Sequence, residues 1–395
     1  MTALDEFRAE VRAWLESNYP PSLRKPPGEG ELPLASSRME FRSEDQRLWF
    51  ERMRDKDWFA PDWPQEFGGG GLDPAKVRIL EIEQARLGCR PPVVSLGIWM
   101  IGPVLLEFGS EEQKRRFLPP TARGEMGWCQ GFSEPNAGSD LASLKTAAVR
   151  EGDELIVNGS KIWTSNAYAA DYMYALVRTS NEGSKQQGIT MVLIDMRSPG
   201  ITVRPITLIS GESSFCQVFF DNVKVPLHNM VGSLNGGWNL AKRLLQYERK
   251  AMSKFAELNL MPGPALLPVA QRAQGDPSGR IADPVLRDKV AALEIEAQVQ
   301  SLTQQRIVEM MKGGRDVFNL SSTMKYHSAE TGKRSAETMV AALGLRGLGW
   351  ESTGFDEEEL EATKQWLNVK GLSIAGGSSE VQLNIIAKRV LGLPE

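Results

Sequence analysis

Gly127-Trp128-Cys129-Gln130-Gly131-Phe132-Ser133-Glu134-Pro135-Asn136-Ala137-Gly138-Ser139-Asp140, followed later by Lys161-Ile162-Trp163-Thr164-Ser165-Asn166, is the pair of segments from which this sequence is best read. The first is small, polar and turn-forming, with Pro135, Gly131 and Gly138 set among hydroxyls and carboxylates. The second puts an indole and two hydroxyls at the end of a short strand. Backbone amides, hydroxyl donors and one aromatic wall together make a surface suited to a flat heterocycle. Taken singly the residues leave other readings open: Trp163 as a core aromatic at a strand end, and Ser133 or Ser139 as a capping residue.

The rest of the composition narrows the field. A chain of 395 residues is too long for one small core, and two or three subdomains are expected. Hydrophobic residues make up 41% and charged residues 24%, the balance of an ordinary soluble globular protein. The net charge is −4 and no basic stripe occurs, so nucleic acid is not expected as a partner. No apolar run reaches membrane-spanning length and no leader pattern follows Met1, so the expectation is a cytoplasmic protein without membrane attachment. Cys89, Cys129 and Cys216 are too few and too scattered for a disulfide framework. With only His228 and His327, and no paired ligand spacing, no metal site is expected. Neither a Gly-x-Ser-x-Gly elbow, nor a Gly-x-Gly-x-x-Gly after a strand, nor a P-loop is present. A nucleotide cofactor therefore has to bind by other means.

Hydrophobic periodicity gives the order helical, then β, then helical. Leu4, Phe7, Val11 and Trp14 define one helix face. A Pro/Gly-rich loop over 20–33 follows, with helices expected at 44–56 and 74–87. Ser110 caps a further helix, which Pro119-Pro120 is expected to end. From Trp128 the period becomes strand-like. Leu155-Ile156-Val157 and Ser160-Lys161-Ile162-Trp163 flank Asn158-Gly159, the pattern of a hairpin with a type I′ turn. Further strands are expected at 172–177, 189–195 and 215–225, and helices at 329–343, 357–369 and 381–391, with Leu286, Val290, Leu293 and Ala297 on one more helical face. Segregated helices and strands indicate an α+β arrangement: an N-terminal helical domain over 1–126, a central β-domain over 127–235 and a C-terminal helical bundle over 236–395.

The two opening motifs, and this domain order over nearly the whole length, resemble the acyl-CoA dehydrogenases. The resemblance implies FAD as cofactor, with Gln130, Phe132 and Ser133 at the pyrimidine edge of the isoalloxazine and Trp163, Thr164 and Ser165 on its other side. Fixed donors there favour the reduced ring, which carries negative charge near N1. Ser139 and Arg249 are expected to bind substrate. The implied reaction is α,β-dehydrogenation of an acyl-CoA thioester to the trans-2-enoyl-CoA, with electrons passing to an electron-transferring flavoprotein. An acyl-CoA oxidase on the same fold, or a non-catalytic partner subunit, are the alternatives.

That reaction needs a carboxylate against the α-carbon, withdrawn from water so that its basicity rises. Most of the family carries it in a C-terminal Glu-Gly-Thr-Ser pattern. The matching stretch is Ile374-Ala375-Gly376-Gly377-Ser378-Ser379-Glu380, with Gly376 where the glutamate stands. The isovaleryl and long-chain branches place the base in a Glu-Arg pair on the helix after the β-domain, matched by Glu248-Arg249. Leu240, Leu244 and Tyr247 form an apolar stripe that Glu248 borders, although a helix carboxylate in isolation is usually solvated. Gly376 keeps a backbone N–H, which the resemblance assigns to the thioester carbonyl. Two family features are absent. No Arg-x-x-Phe-Gly occurs in Ala256-Glu257-Leu258-Asn259-Leu260-Met261-Pro262-Gly263-Pro264, and Ala341 replaces the Gln of Gln-x-x-Gly-x-x-Gly. Both groups hold the pyrophosphate half of FAD across a subunit interface. Their loss resembles one subunit type of the α2β2 enzymes, such as the large subunit of pimeloyl-CoA dehydrogenase and the steroid side-chain enzymes of actinobacteria. A tetramer is expected, either a homo-oligomer, with Arg346 or Lys333 supplying the donors, or an α2β2 assembly with a homologous subunit.

Overall fold

A computed structural model describes residues 2–24, 31–257, 265–315, 317, 320–351 and 353–394. The Pro/Gly-rich stretch at 25–30 and the stretch 258–264, where the Arg-x-x-Phe-Gly pattern is missing, lie outside the described residues. The chain divides into two compact units, one comprising Met1–Ile206 with Ser213–Met261 and the other Thr207–Glu212 with Pro262–Glu395.

The first unit starts with helices α1 (Ala3–Asn18), α2 (Glu44–Asp55), α3 (Pro74–Leu87), α4 (Gly102–Phe108) and α5 (Glu111–Ala122). Their ends are written in the sequence. Thr2 and Asp5 form a reciprocal capping box on α1, as do Ser110 and Gln113 on α5. Asp73 caps α3 ahead of Pro74, and Gly88 closes it in the left-handed conformation. The stripe on α1 buries Val11 and Leu15 against Trp49, Phe50, Met53 and Leu80, while Leu4 faces outward. Glu83 of α3 is fully buried and receives hydrogen bonds from Arg8 (3.3 Å), Arg12 (2.9 and 3.0 Å) and Arg86 (2.7 Å), which lock α1 to α3.

The sheet follows: β1 (Trp128–Gly131), β2 (Ala147–Glu151), β3 (Glu154–Ser165), β4 (Tyr172–Arg178), β5 (Ile189–Asp195), β6 (Ile201–Ile206), β7 (Phe215–Pro226) and β8 (Met230–Val231). Its order is β6-β7-β3-β2-β4-β5-β8, with β1 added parallel to β4. Helix α6 (Gly237–Glu257) then packs Leu240, Ala241 and Leu244 into the core that also holds Leu105, Phe132, Tyr174 and Leu193.

The second unit carries α7 (Leu266–Gln274), α8 (Pro284–Lys312), α9 (Leu320–Leu343), α10 (Glu357–Asn368) and α11 (Ser379–Ile385). The expected face of α8 is the buried one at Leu286, Val290 and Leu293, which meet Val269, Met339, Ala342 and Ala362. No helix among the described residues is long and apolar enough to cross a membrane. With helices segregated from one central sheet, the α+β expectation stands.

Two local expectations fail. Asn158-Gly159 is not a hairpin turn, because β3 runs unbroken through it and pairs with β7, with a register shift between Val157 and Gly159. Gly159 sits there at φ +143°, and a Cβ would lie 2.7 Å from the Thr146 hydroxyl. Asn158 spends its amide on Asn222 across the strand. The long ladder overrides the local turn preference. Pro119-Pro120 does not end α5, which continues to Ala122. The Thr121 hydroxyl donates to the Phe117 carbonyl at 2.7 Å, and Arg123 N–H closes on the Pro119 carbonyl at 3.2 Å.

Candidate active site

The loop that follows β1 and the end of β3 meet at an irregularity in the strand. Between Lys161 and Thr164 the β3–β7 register slips. Trp163 takes φ +57° there, a left-handed conformation rare for a bulky residue. A bulge of this kind re-aims a side chain and frees backbone from the ladder. The freed N–H of Ile162 donates to the Ser133 carbonyl at 2.9 Å, joining the two sequence motifs directly. The Trp163 indole is 54% exposed and touches Phe215 edge-on at 6.2 Å, so it is not a core aromatic. Thr164 is fully buried, and its hydroxyl oxygen is one of the few buried side-chain oxygens without a hydrogen-bond partner among the described residues. Ser133 and Ser165 are partly buried.

Gln130 is tied from behind. The buried Tyr174 hydroxyl donates to Gln130 Oε1 at 3.2 Å, and its ring packs edge-on against Phe132 at 6.0 Å. Desolvation, then the carboxylate of Glu248, pushes the Tyr174 phenol well above its ordinary range. Tyr174 thus lies within the field of the candidate base on one side and contacts the first motif on the other.

Glu248 and Arg249 are partly buried on α6. Burial raises the Glu248 carboxyl above its ordinary value, and Arg249 opposes that rise. Burial likewise lowers the Arg249 guanidinium, against Glu248. Tyr247, next to Glu248 in the chain, and Arg243, about one turn before it, both donate to Glu107 of α4 at 2.7 Å, anchoring this part of the helix. Ser139 is exposed in the loop after β1, beside Asp140, whose carboxylate receives the Lys185 ammonium at 2.7 Å and the Ser143 hydroxyl at 2.5 Å.

In the second unit Gly376 and Gly377 have φ +66° and +98°, and a Cβ on Gly376 would meet nothing within 4 Å. Lys325 of α9 fastens this turn by donating to the carbonyls of Leu372 (3.0 Å) and Gly377 (2.6 Å). Glu380 is exposed in the first turn of α11, where its own backbone N–H and Ser378 hold its carboxyl below the ordinary range. Arg346 is engaged by the buried Glu359, and Lys333 by Glu330 at 2.9 Å.

Sequence reasoning passed over Lys161 and Glu134, the buried pair beneath this surface. The Lys161 ammonium donates to Glu134 Oε1 at 2.8 Å and to the Phe132 carbonyl at 3.1 Å. Both residues stand inside the quoted motifs; a period-two reading of β3, with one face in the core, was the available signal that Lys161 points inward.

Three family models together account for nearly the whole chain. They are the acyl-CoA dehydrogenase N-terminal domain over residues 2–125, the middle domain over 129–223 and the C-terminal domain over 235–391. The chain belongs to the acyl-CoA dehydrogenase family. Members of this family are flavin-dependent oxidoreductases, generally with FAD. Among proteins of known identity, the acyl-CoA dehydrogenase IpdE1 of Mycobacterium tuberculosis is 31% identical over 395 residues, covering 100% of this chain and 99% of that protein. FadE34 of the same organism is 39% identical over 342 residues, 87% of this chain but only 45% of the longer protein. The solved Tcur3481-Tcur3483 steroid acyl-CoA dehydrogenase superposes with a TM-score of 0.79 at 28% identity, covering 100% and 98% of the two chains. The ChsE4-ChsE5 complex of M. tuberculosis does so with a TM-score of 0.77 at 29% identity, over the same shares.

Proposed function

We propose that this acyl-CoA dehydrogenase removes the α-proton of an acyl-CoA thioester with Glu248 and yields the trans-2-enoyl-CoA. The observation that carries this reading is the Glu248 carboxylate itself: it is withdrawn from water on α6 and its proton affinity is raised by that burial. A base of this kind is matched to a weakly acidic C–H better than an exposed carboxylate is. Glu380, exposed and with its carboxyl lowered, offers no such match. Arg249, adjacent in the chain, is the counter-charge that keeps Glu248 ionisable.

The residues at the β3 bulge fit a flavin. Thr164 supplies an unpartnered hydroxyl, Trp163 an open aromatic face, and Gln130, Phe132, Ser133 and Ser165 line the joined motifs. A flavin held by these residues would supply the acceptor for the β-hydrogen as hydride. Ser139 is assigned to the acyl-CoA arm. The Gly376 N–H is assigned to the thioester carbonyl, supported by a turn that two left-handed glycines and Lys325 hold in one shape. Electrons leave to an electron-transferring flavoprotein.

For the assembly we favour α2β2 with a homologous subunit. Ala341 removes one pyrophosphate donor, and the nearby cations Arg346 and Lys333 already serve Glu359 and Glu330. The two-component names of the Tcur3481-Tcur3483 and ChsE4-ChsE5 structures agree with this reading, and the word steroid in the first name keeps steroid thioesters among the candidate substrates. The test is anaerobic reduction of the bound flavin by straight-chain, branched, dicarboxyl and steroid CoA thioesters. Bleaching by one class supports the dehydrogenase. No bleaching by any, with intact flavin, returns the chain to a supporting subunit.

A further inference from the structure

Three consecutive residues of the first motif are each fastened to the second. The Phe132 carbonyl receives the Lys161 ammonium at 3.1 Å, the Ser133 carbonyl receives the Ile162 N–H at 2.9 Å, and Glu134 Oε1 receives the Lys161 ammonium at 2.8 Å. We propose that Lys161 is a positioning residue for the cofactor: its buried ammonium sets the spacing between the backbone at 132–134 and the bulge that presents Trp163 and Thr164. This rests on the flavin reading above.

The argument starts from cost. Lys161 is fully buried and Glu134 nearly so. An apolar pair of equal volume commonly stabilises a fold as well as a buried ion pair or better. A charge pair kept in such a place therefore calls for a geometric reason, and the bonds supply one. Glu134 is itself held rigidly, accepting the Lys145 N–H at 2.6 Å and the Thr146 N–H at 2.9 Å, while its own backbone exchanges bonds with Ala137 at 3.1 and 3.0 Å. The ammonium spans from this fixed carboxylate to the Phe132 carbonyl, one residue before Ser133. On the strand side, Lys161 is the last residue in register with β7 before the slip. Ile162 and the left-handed Trp163 leave the ladder at the point Lys161 fixes, and Thr164, with its unpartnered hydroxyl, rejoins β7 in a shifted register. The ion pair thus holds the two lips of the proposed flavin surface at one separation, where a non-directional apolar contact would let them slide.

The experiment separates this role from plain structural support. It uses the chain in whichever assembly, alone or with a homologous subunit, the parental protein is purified holding FAD. In K161M/E134Q the Met fills the lysine volume and the Gln oxygen keeps an acceptor for one of the Lys145 and Thr146 amides, so no charge is left buried alone. E134Q by itself keeps the Lys161–Phe132 bond. FAD is titrated into each apoprotein, with the visible spectrum and the thermal midpoint recorded. The expected result is a K161M/E134Q protein that melts near the parental temperature yet binds FAD about tenfold more weakly, the scale of one lost directional bond, with a shifted flavin spectrum. E134Q breaks the ion pair but keeps the Phe132 tether, so it is expected to weaken FAD binding less than K161M/E134Q does. Parental affinity and spectrum in K161M/E134Q would overturn the proposal and leave the pair a structural device. If K161M/E134Q does not fold, K161Q decides on the same two readouts: weakened binding supports the role and parental binding overturns it. A parental protein that takes up no FAD under any condition sinks the flavin reading itself, and this inference with it.

Discussion

The N–H of Ile162 donates to the carbonyl of Ser133 at 2.9 Å, within the slip between Lys161 and Thr164, which both pair with β7. A slip in one strand thereby makes a single surface of two motifs separated in sequence. It also explains why a tryptophan sits at positive φ with most of its ring open, a conformation that an ordinary strand end would not require. Strain of this type is retained where surrounding contacts over-determine it, commonly at binding sites.

Glu248→Gln keeps volume and removes the proton acceptor. Flavin content should be unchanged, and reduction by substrate should fall by about 10²- to 10⁴-fold, the range of a lost general base. In the parental enzyme activity should rise with pH through the raised Glu248 value, because only the carboxylate is a base. The stability sign is opposite. A carboxyl raised by folding favours the folded state at low pH and loses that contribution as pH rises through the folded value. Glu248→Gln should therefore raise the thermal midpoint at neutral pH. Near-parental bleaching in this variant would show that the base lies elsewhere.

Trp163→Gly offers a cleaner test of the aromatic wall than alanine. Glycine tolerates φ +57°, so strain of about 1–3 kcal/mol is relieved while the ring is lost. The ring buries little in the protein itself, touching Phe215 edge-on. The apoprotein should melt no lower than the parent, yet its flavin should wash out on gel filtration. Retained flavin with a parental spectrum would remove Trp163 from the site.

How much of this was legible follows from what each feature depends on. Helix α3 is bounded as the sequence has it, since Asp73, Pro74 and Gly88 act locally. Strand β5 likewise matches its expected span, being an apolar run between turn residues. Asn158-Gly159 misled because turn preference is local and small, whereas β3–β7 pairing runs the length of the strand. The ion pair of Lys161 with Glu134 was illegible for a related reason. A lysine and a glutamate far apart in sequence read as solvated charges; period two turns Lys161 inward, but which carboxylate meets it depends on how the loop after β1 folds onto β3. Glu248 is proposed from the Glu-Arg pattern and the gap at Gly376; periodicity alone places it at the border of a stripe.

Glu83 makes a stability prediction independent of catalysis. Hydrogen bonds from Arg12 foremost, with Arg86, hold its carboxyl at about 2, well below the ordinary 4.5. A carboxyl depressed by folding contributes stability above its unfolded value and loses it as pH falls through the folded value. The contribution should be complete above about pH 4.5 and fade toward pH 2. Glu83→Gln should cost about 2 kcal/mol at neutral pH, the scale of charge-assisted bonds to a buried acceptor. The arginines are partly exposed, so added salt should reduce the difference. Equal melting of variant and parent at neutral pH and low salt would show that α1 and α3 are held by their apolar contacts alone.

The assembly prediction follows from charge that must be matched. The FAD pyrophosphate carries two negative charges, and phosphate oxygens removed from water require donors. Ala341 offers none, and no Arg-x-x-Phe-Gly occurs in this chain. The cations that flank Ala341 in sequence are committed: Arg346 bonds the buried Glu359 carboxylate and the Gly354 carbonyl, Arg334 bonds Glu296, and Lys333 bonds Glu330. Releasing Arg346 to a phosphate would leave Glu359 buried without its partner, a loss that offsets the gain. Expressed alone, the chain should hold well under one FAD per subunit. Co-expressed with a homologous subunit that carries Arg-x-x-Phe-Gly, it should purify as a mixed tetramer with its flavin in place. Native mass and the ratio of visible to ultraviolet absorbance measure both. A homotetramer with stoichiometric FAD and full dehydrogenase activity would defeat the mixed assembly, and it would do so without touching Glu248, since the base and the pyrophosphate donors are separate parts of the chain.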